Sequence, residues 1–215
     1  MHYANFGFFI SILATATPAA ADLGQQIATQ GNSHGAVACV ACHGPAGAGN
    51  AAAGFPRLAG LNADYLTKQL RDYQSGARDN PIMQPIAQAL DEQEQVSVSA
   101  YYAAQEGSPA PLIGRADRAP QSLGERLATR GAWERDIPEC VSCHGPGGAG
   151  VGAAFPRLAG QHASYIEQQL QAWKQGSRDN DPNQLMRPVA EKLTDEESAA
   201  VAAYFAQLGT ADSSQ

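Results

Sequence analysis

Two five-residue stretches hold all four cysteines of the chain: Cys39-Val40-Ala41-Cys42-His43 and Cys140-Val141-Ser142-Cys143-His144. In each, a dipeptide separates two thiols and an imidazole follows at once. On a helical turn, residues i and i+3 share one side, so both thiols of a pair can meet one flat ligand. The adjacent histidine can then swing beneath that ligand and give a nitrogen to a metal. This spacing is the mark of covalent c-type haem attachment. Cys39 with Cys42, and Cys140 with Cys143, would bond the porphyrin vinyl groups, while His43 and His144 ligate iron. Two covalently attached haem c groups are expected. Two Cys-x-x-Cys pairs could instead build a zinc site, but they lie in different halves of the chain. A thioredoxin-like dithiol would need a βαβ setting, and no such pattern surrounds them.

The second axial ligand decides what such a haem does. An open face binds or activates small molecules, whereas a closed one mainly passes electrons. Beyond Met1 the chain has two methionines, Met83 and Met186. Each follows its histidine at a similar distance, in a proline-flanked segment (Asn80-Pro81-Ile82-Met83 and Leu185-Met186-Arg187-Pro188). Methionines often do no more than fill gaps in a core. One per haem motif, in register, favours His/Met ligation: His43 with Met83 and His144 with Met186. Soft thioether sulfur favours the reduced iron, which places such sites at higher potential. The spare histidines fit less well. His34 has no counterpart in the second half and His162 corresponds to Asn62, so both read as surface residues.

The elements that would hold these ligands are written twice. Leu23-Gly24 and Leu123-Gly124 correspond, and Phe55-Pro56-Arg57-Leu58-Ala59-Gly60 recurs unchanged as Phe155 to Gly160. Tyr65 to Leu70 answers Tyr165 to Leu170, and Arg78-Asp79-Asn80 answers Arg178-Asp179-Asn180. Two copies are too few for a solenoid, which needs at least three. They read as sibling domains over residues 22–106 and 122–215, tethered by the proline-rich segment 107–121. Periodicity predicts helices over Asp22–Gln30, Ala63–Ser75, Asp91–Ala104 and after a capping box at Thr194 to Glu197. No alternating run is long enough for a strand, so the fold class is all-α. Domains of this size gain little stability from burial alone, and a buried haem would supply the missing apolar volume.

Residues 1–21 read as a cleaved secretory signal. An apolar stretch, Phe6 to Ala16, ends in Ala19-Ala20-Ala21, although no Lys or Arg precedes it. About eleven apolar residues fall short of the roughly 20 needed to cross a bilayer. A periplasmic location follows from that reading, with peripheral membrane association left open. The net charge is −7, and haem propionates would add to it. A nucleic-acid partner needs a basic face and is excluded. Redox proteins with basic or uncharged contact surfaces fit better.

Taken together, the paired motifs, the repeated Pro-Arg-Leu-Ala-Gly, the Tyr-x-x-x-Gln-Leu helix, Ser-Gly-Ala-Arg and Asn-Pro-Ile-Met resemble the cytochrome c4 family. The likeness covers the chain beyond residue 21. It implies a tandem pair of class I cytochrome c domains, each wrapped around one haem, with His43/Met83 and His144/Met186 as axial pairs. It also implies that the carbonyls of Pro56 and Pro156 accept the Nδ1 proton of the ligating histidines. It places the haems near the domain interface with propionates in contact, and Arg57, Arg157, Arg78 and Arg178 are candidates to pair with them, against the alternative of solvated surface charges. The implied role is a carrier rather than an enzyme. It would take electrons from a quinol-oxidising complex or dehydrogenase and pass them to a terminal oxidase or another acceptor. A cytochrome subunit of a larger dehydrogenase, such as a flavocytochrome, is the alternative, and a dihaem enzyme would require a displaceable ligand. The two halves differ at the methionine loop, which gains three residues through Asp181 to Leu185, and at Arg187, which stands where the first half has Gln84.

Overall fold

The computed structural model describes residues 19–107 and 119–208. The apolar leader and most of the 107–121 tether lie outside the described residues. Within the described residues the chain is α-helical with short 3-10 turns and isolated β-bridges but no strand. No helix among them is long and apolar enough to cross a membrane.

Five helices occur twice in the same order. The first half has α1 (Ala19–Gln30), α2 (Val40–His43), α3 (Ala63–Ser75), α4 (Met83–Gln88) and α5 (Glu92–Ala103). The second has α6 (Leu123–Arg130), α7 (Cys140–His144), α8 (Ala163–Gln175), α9 (Met186–Lys192) and α10 (Asp195–Gln207). Local chemistry sets their ends. The Asn62 side chain accepts the Tyr65 N–H at 3.0 Å to open α3, and Gly76, left-handed at φ +82°, stops it. Reciprocal capping boxes open α5 through Asp91 and Glu94 and α10 through Thr194 and Glu197.

In each half the first helix lies across the last: α1 packs on α5, and α6 on α10. Backbone meets backbone at those crossings. A Cβ on Gly24 would lie 2.2 Å from the Ser97 carbonyl oxygen, and one on Gly124 would lie 2.1 Å from that of Ala200. Only glycine allows this approach, which explains the repeated Leu-Gly. Two apolar cores result. Ile27, Leu66, Val98 and Tyr102 anchor the first, and Leu127, Ile137, Trp173 and Phe205 the second.

Candidate functional site

The two histidines that close the cysteine motifs are buried, at 6% exposure for His43 and 7% for His144. The repeated hexapeptide fixes them. His43 Nδ1 lies 3.0 Å from the Pro56 carbonyl oxygen, and His144 Nδ1 lies 2.7 Å from that of Pro156. A carbonyl only accepts, so Nδ1 carries the proton and Nε2 keeps its lone pair. Phe55 and Phe155 meet the two imidazoles edge-on, with ring centroids 6.0 and 6.1 Å apart. Next in the hexapeptide, the Leu58 and Ala59 N–H groups donate to the Gly47 carbonyl, and Leu158 and Ala159 do the same to Gly148. Finally Gly60 N–H reaches the Tyr102 carbonyl at 3.0 Å, and Gly160 N–H reaches that of Phe205 at 2.9 Å. One six-residue segment therefore orients the imidazole and ties it to the last helix of its half.

Burial lowers the pKa of both imidazoles, against the opposing pull of the proline carbonyls. They stay neutral and available as donors to metal. Burial also raises the Cys39 thiol, and it takes Cys140 up to about 12.

The methionines open the helices that follow. In the first half the Asn80 side chain accepts the N–H groups of Ile82 and Met83 at 3.0 and 2.9 Å. In the second half the longer loop hands this task to Asp181, whose carboxylate accepts the Met186 N–H at 2.6 Å. Asn180 is thereby released toward the other half, where it donates to Gln69 at 2.9 Å and to Asp72 at 2.6 Å. Met83 and Met186 are both partly buried.

A single cavity of about 1130 Å³ runs through both halves, lined by His43, Met83, Cys39, His144, Met186 and Cys140. Single ligand sites hold roughly 300–1,000 Å³, so this space suits two large planar groups. Trp173 Nε1 and Ser99 Oγ line it, buried and without a protein partner. Thiols at i and i+3, an imidazole with Nε2 free, a thioether and orphaned donors together fit a covalently held haem in each half.

Arg78 and Arg178 border the same cavity at 4% and 5% exposure. Their backbones face each other in an antiparallel bridge between the halves. Arg78 donates to Gln69 at 2.9 Å and crosses to Tyr165 at 2.8 Å and Gln169 at 2.5 Å. Arg178 donates to Asn180 and Gln169 at 2.9 Å, and crosses to Tyr65 at 3.3 Å and Gln69 at 3.4 Å. Each guanidinium also stacks on an aromatic ring, Tyr73 at 4.6 Å and Trp173 at 4.1 Å. Burial alone would raise the Tyr165 phenol, but Arg78 and Arg178 outweigh it and bring the pKa down. Among the described residues these two arginines have neutral hydrogen-bond partners, so neither is a solvated surface charge. Arg57 and Arg157 instead donate through Nε to the backbone carbonyls of Gly160 and Ala159, each at 3.0 Å.

One expectation fails. His34 is exposed as expected, but His162 is partly buried. It sits where α8 meets the first half, and a Cβ on Gly49 would lie 2.4 Å from its Nε2. The cross-linking pair of Tyr and Gln on α3 and α8 escapes a reading of each half alone. Its trace in the sequence is a glutamine, Gln69, on the apolar side of its helix with its mate Gln169 in register.

Comparison with known proteins agrees with this geometry. The cytochrome c family model matches residues 21–104 and again 123–209. A thiosulfate dehydrogenase electron acceptor from Stutzerimonas stutzeri (strain A1501) is 54% identical over 95% of this chain and 94% of its own length. The structure of reduced recombinant cytochrome c4 from Pseudomonas stutzeri superposes with a TM-score of 0.72 at 34% identity, covering 87% of this chain and 97% of that one. A thiosulfate dehydrogenase structure from Marichromatium purpuratum gives a TM-score of 0.78 at 45% identity, covering 86% of this chain but 40% of that longer one. The chain belongs to the cytochrome c4 family: it is a dihaem cytochrome c of two domains, with one haem c bound covalently at Cys39 and Cys42 and the other at Cys140 and Cys143.

Proposed function

We propose that the chain is an exported electron carrier of the periplasm in which His43 with Met83, and His144 with Met186, close both axial positions of the two haems. One observation carries the reading. In each half an imidazole fixed through Nδ1 faces the cavity, and the methionine of that half lines the same space. The division into domains 22–106 and 122–215 with a tether at 107–121 belongs to this proposal.

When bound, haem supplies a one-electron iron couple whose potential depends on its axial ligands. The residues of the chain do the rest. Pro56 and Pro156 hold the imidazoles in one tautomer and orientation, which raises their basicity toward metal. Asn80 and Asp181 set the methionine backbones at the helix starts. The two cores exclude water, so that little reorganisation accompanies gain or loss of an electron. With His43 and Met83 holding one haem and His144 and Met186 the other, no coordination site would be left for a substrate.

A thiosulfate-oxidising dehydrogenase is the donor this reading favours, supported by the identity to the Stutzerimonas stutzeri acceptor. A terminal oxidase or another high-potential protein would take the electrons onward. Mixing the oxidised protein with thiosulfate and a catalytic amount of thiosulfate dehydrogenase should reduce two haems per chain. Reduction by a quinol-oxidising complex alone would displace that donor. Carbon monoxide binding to the native protein at neutral pH would overturn the closed-haem reading.

The Marichromatium purpuratum match favours a second reading, since the region like this chain is 40% of a longer chain that bears the dehydrogenase name. This protein would then be a stable subunit rather than a free shuttle. Purification without cross-linking separates the two, because a subunit brings its enzyme along in fixed ratio.

A further inference from the structure

We propose that Gln161, in the second domain, is a positioning residue for His43 in the first, and that it makes the potential of one haem depend on contact between the domains. The proposal rests on the His43 ligation given above. Gln161 is 6% exposed and spans the main chain of Arg57. Its Oε1 accepts the Arg57 N–H at 2.9 Å, and its Nε2 donates to the Arg57 carbonyl at 2.9 Å. Oε1 also accepts the His162 N–H at 3.0 Å. Two N–H donors on one side and a carbonyl on the other fix the orientation of the amide.

The Arg57 N–H belongs to the same peptide group as the Pro56 carbonyl, and that carbonyl takes the Nδ1 proton of His43. The hydrogen bonds therefore form an unbroken chain: His43 Nδ1–H to Pro56 C=O, through the peptide to Arg57 N–H, and on to Gln161 Oε1. Hydrogen bonds in series polarise one another. A peptide whose N–H is engaged carries more negative charge on its oxygen and accepts more strongly. His43 is thereby pulled toward the electron-rich form that favours oxidised iron. Close packing holds the same peptide in place. A Cβ on Gly49 would lie 2.6 Å from Arg57 N and 2.7 Å from the Pro56 carbonyl carbon.

Leu61 stands at the position of Gln161, 7% exposed within the first apolar core. A leucine has no amide, so the first half returns no such side-chain clamp to the second. The clamp on the Arg57 backbone therefore distinguishes the two repeats at this position, although the first hydrogen bonds of their histidines match.

The test is a redox titration of the full haem-loaded chain carrying Gln161→Leu, the residue of the sibling repeat. One midpoint should rise and the other stay. Gln161→Glu keeps an acceptor for the Arg57 N–H and should not raise that midpoint, whereas a purely structural role would move the two variants alike. Repeating Gln161→Leu in a Met83→His background, where the first haem is marked by its lowered potential, should move the marked midpoint. Two unmoved midpoints, or two that move together, overturn the role of Gln161. The near-infrared sulfur-to-iron band of the wild-type protein reads the methionine ligation independently, and its absence overturns the Met83 and Met186 assignment while leaving the Gln161→Leu comparison to decide this proposal.

Discussion

Arg78 donates to the hydroxyl of Tyr165 at 2.8 Å across the domain boundary, and Arg178 answers with Tyr65 at 3.3 Å. The exchange puts two permanent cations side by side, buried, bordering the space that the haems fill. Two guanidiniums with neutral partners would be costly to bury in isolation. Propionates of haems held in that cavity would be anions within the same space, and pairing with them would offset this cost.

A first prediction follows. A unit charge that lay about 10 Å from iron, at an effective dielectric near 20, would contribute roughly 1.7 kcal/mol. Replacing Arg78 or Arg178 by Gln removes a positive charge that favours the reduced state. At least one midpoint should fall by on the order of 50–100 mV, while Lys in the same place recovers part of it. Potentiometric titration followed in the visible region reads this directly. A rise, or no change in either variant, would contradict placement of these charges beside the haems.

The axial assignment makes a second prediction. Met83→His and Met186→His each exchange a soft sulfur for a nitrogen. Each should lower one midpoint by on the order of 0.1–0.3 V, a fraction of the ~0.8 V that axial ligands span, and leave the other close to its original value. If neither variant moves a midpoint, methionine is not the ligand.

The helix crossings make a third. Gly24→Ala and Gly124→Ala would each drive a methyl group into a backbone carbonyl, at 2.2 and 2.1 Å in the present geometry. Helices must separate to admit it, at a cost of about 1–3 kcal/mol. For a domain of this size that is a drop in melting temperature of roughly 4–8 °C per kcal/mol. Calorimetry of the haem-loaded protein checks it. A melting temperature that holds or rises would mean the crossings relax freely.

Much of this was legible from residues alone. Helix α3 runs from Ala63 to Ser75 as its pattern predicts, because Asn62 and Gly76 flank it with chemistry that can be read locally. The cysteine motifs were legible because each acts within five residues, and the hexapeptide because it recurs unchanged in both halves. What joins the halves was not. Gln161 and Arg57 meet through tertiary packing, and that pairing leaves no periodic mark in the chain. His162 looked like a surface residue because its counterpart is a polar cap, Asn62, yet it packs on Gly49 across the boundary. Asn180 was aligned with Asn80, but the longer loop moves the capping role to Asp181 and turns Asn180 to the interface.

A fourth prediction concerns acid. Glu197 closes the capping box of α10, accepting the Thr194 N–H at 3.0 Å, and it receives Arg135 through both carboxylate oxygens, one contact at 3.0 Å. The Arg135 hydrogen bonds hold its carboxyl below the usual glutamate range, with burial opposing and the Thr194 N–H assisting. The folded pKa lies below the unfolded value of about 4.3, so the stabilisation is complete above that value. It fades as pH falls through the lowered one. Glu197→Gln keeps an acceptor for the cap but loses the charge. It should cost about 1 kcal/mol at pH 7 and flatten the decline of melting temperature between about pH 5 and pH 3. The first half is the internal control, because the corresponding Glu94 takes an amide donor, Asn32 at 2.9 Å, where Glu197 takes a guanidinium. If Glu197→Gln leaves the acid limb as steep as before, the Arg135 pair contributes nothing to acid stability and the capping box alone holds that helix start.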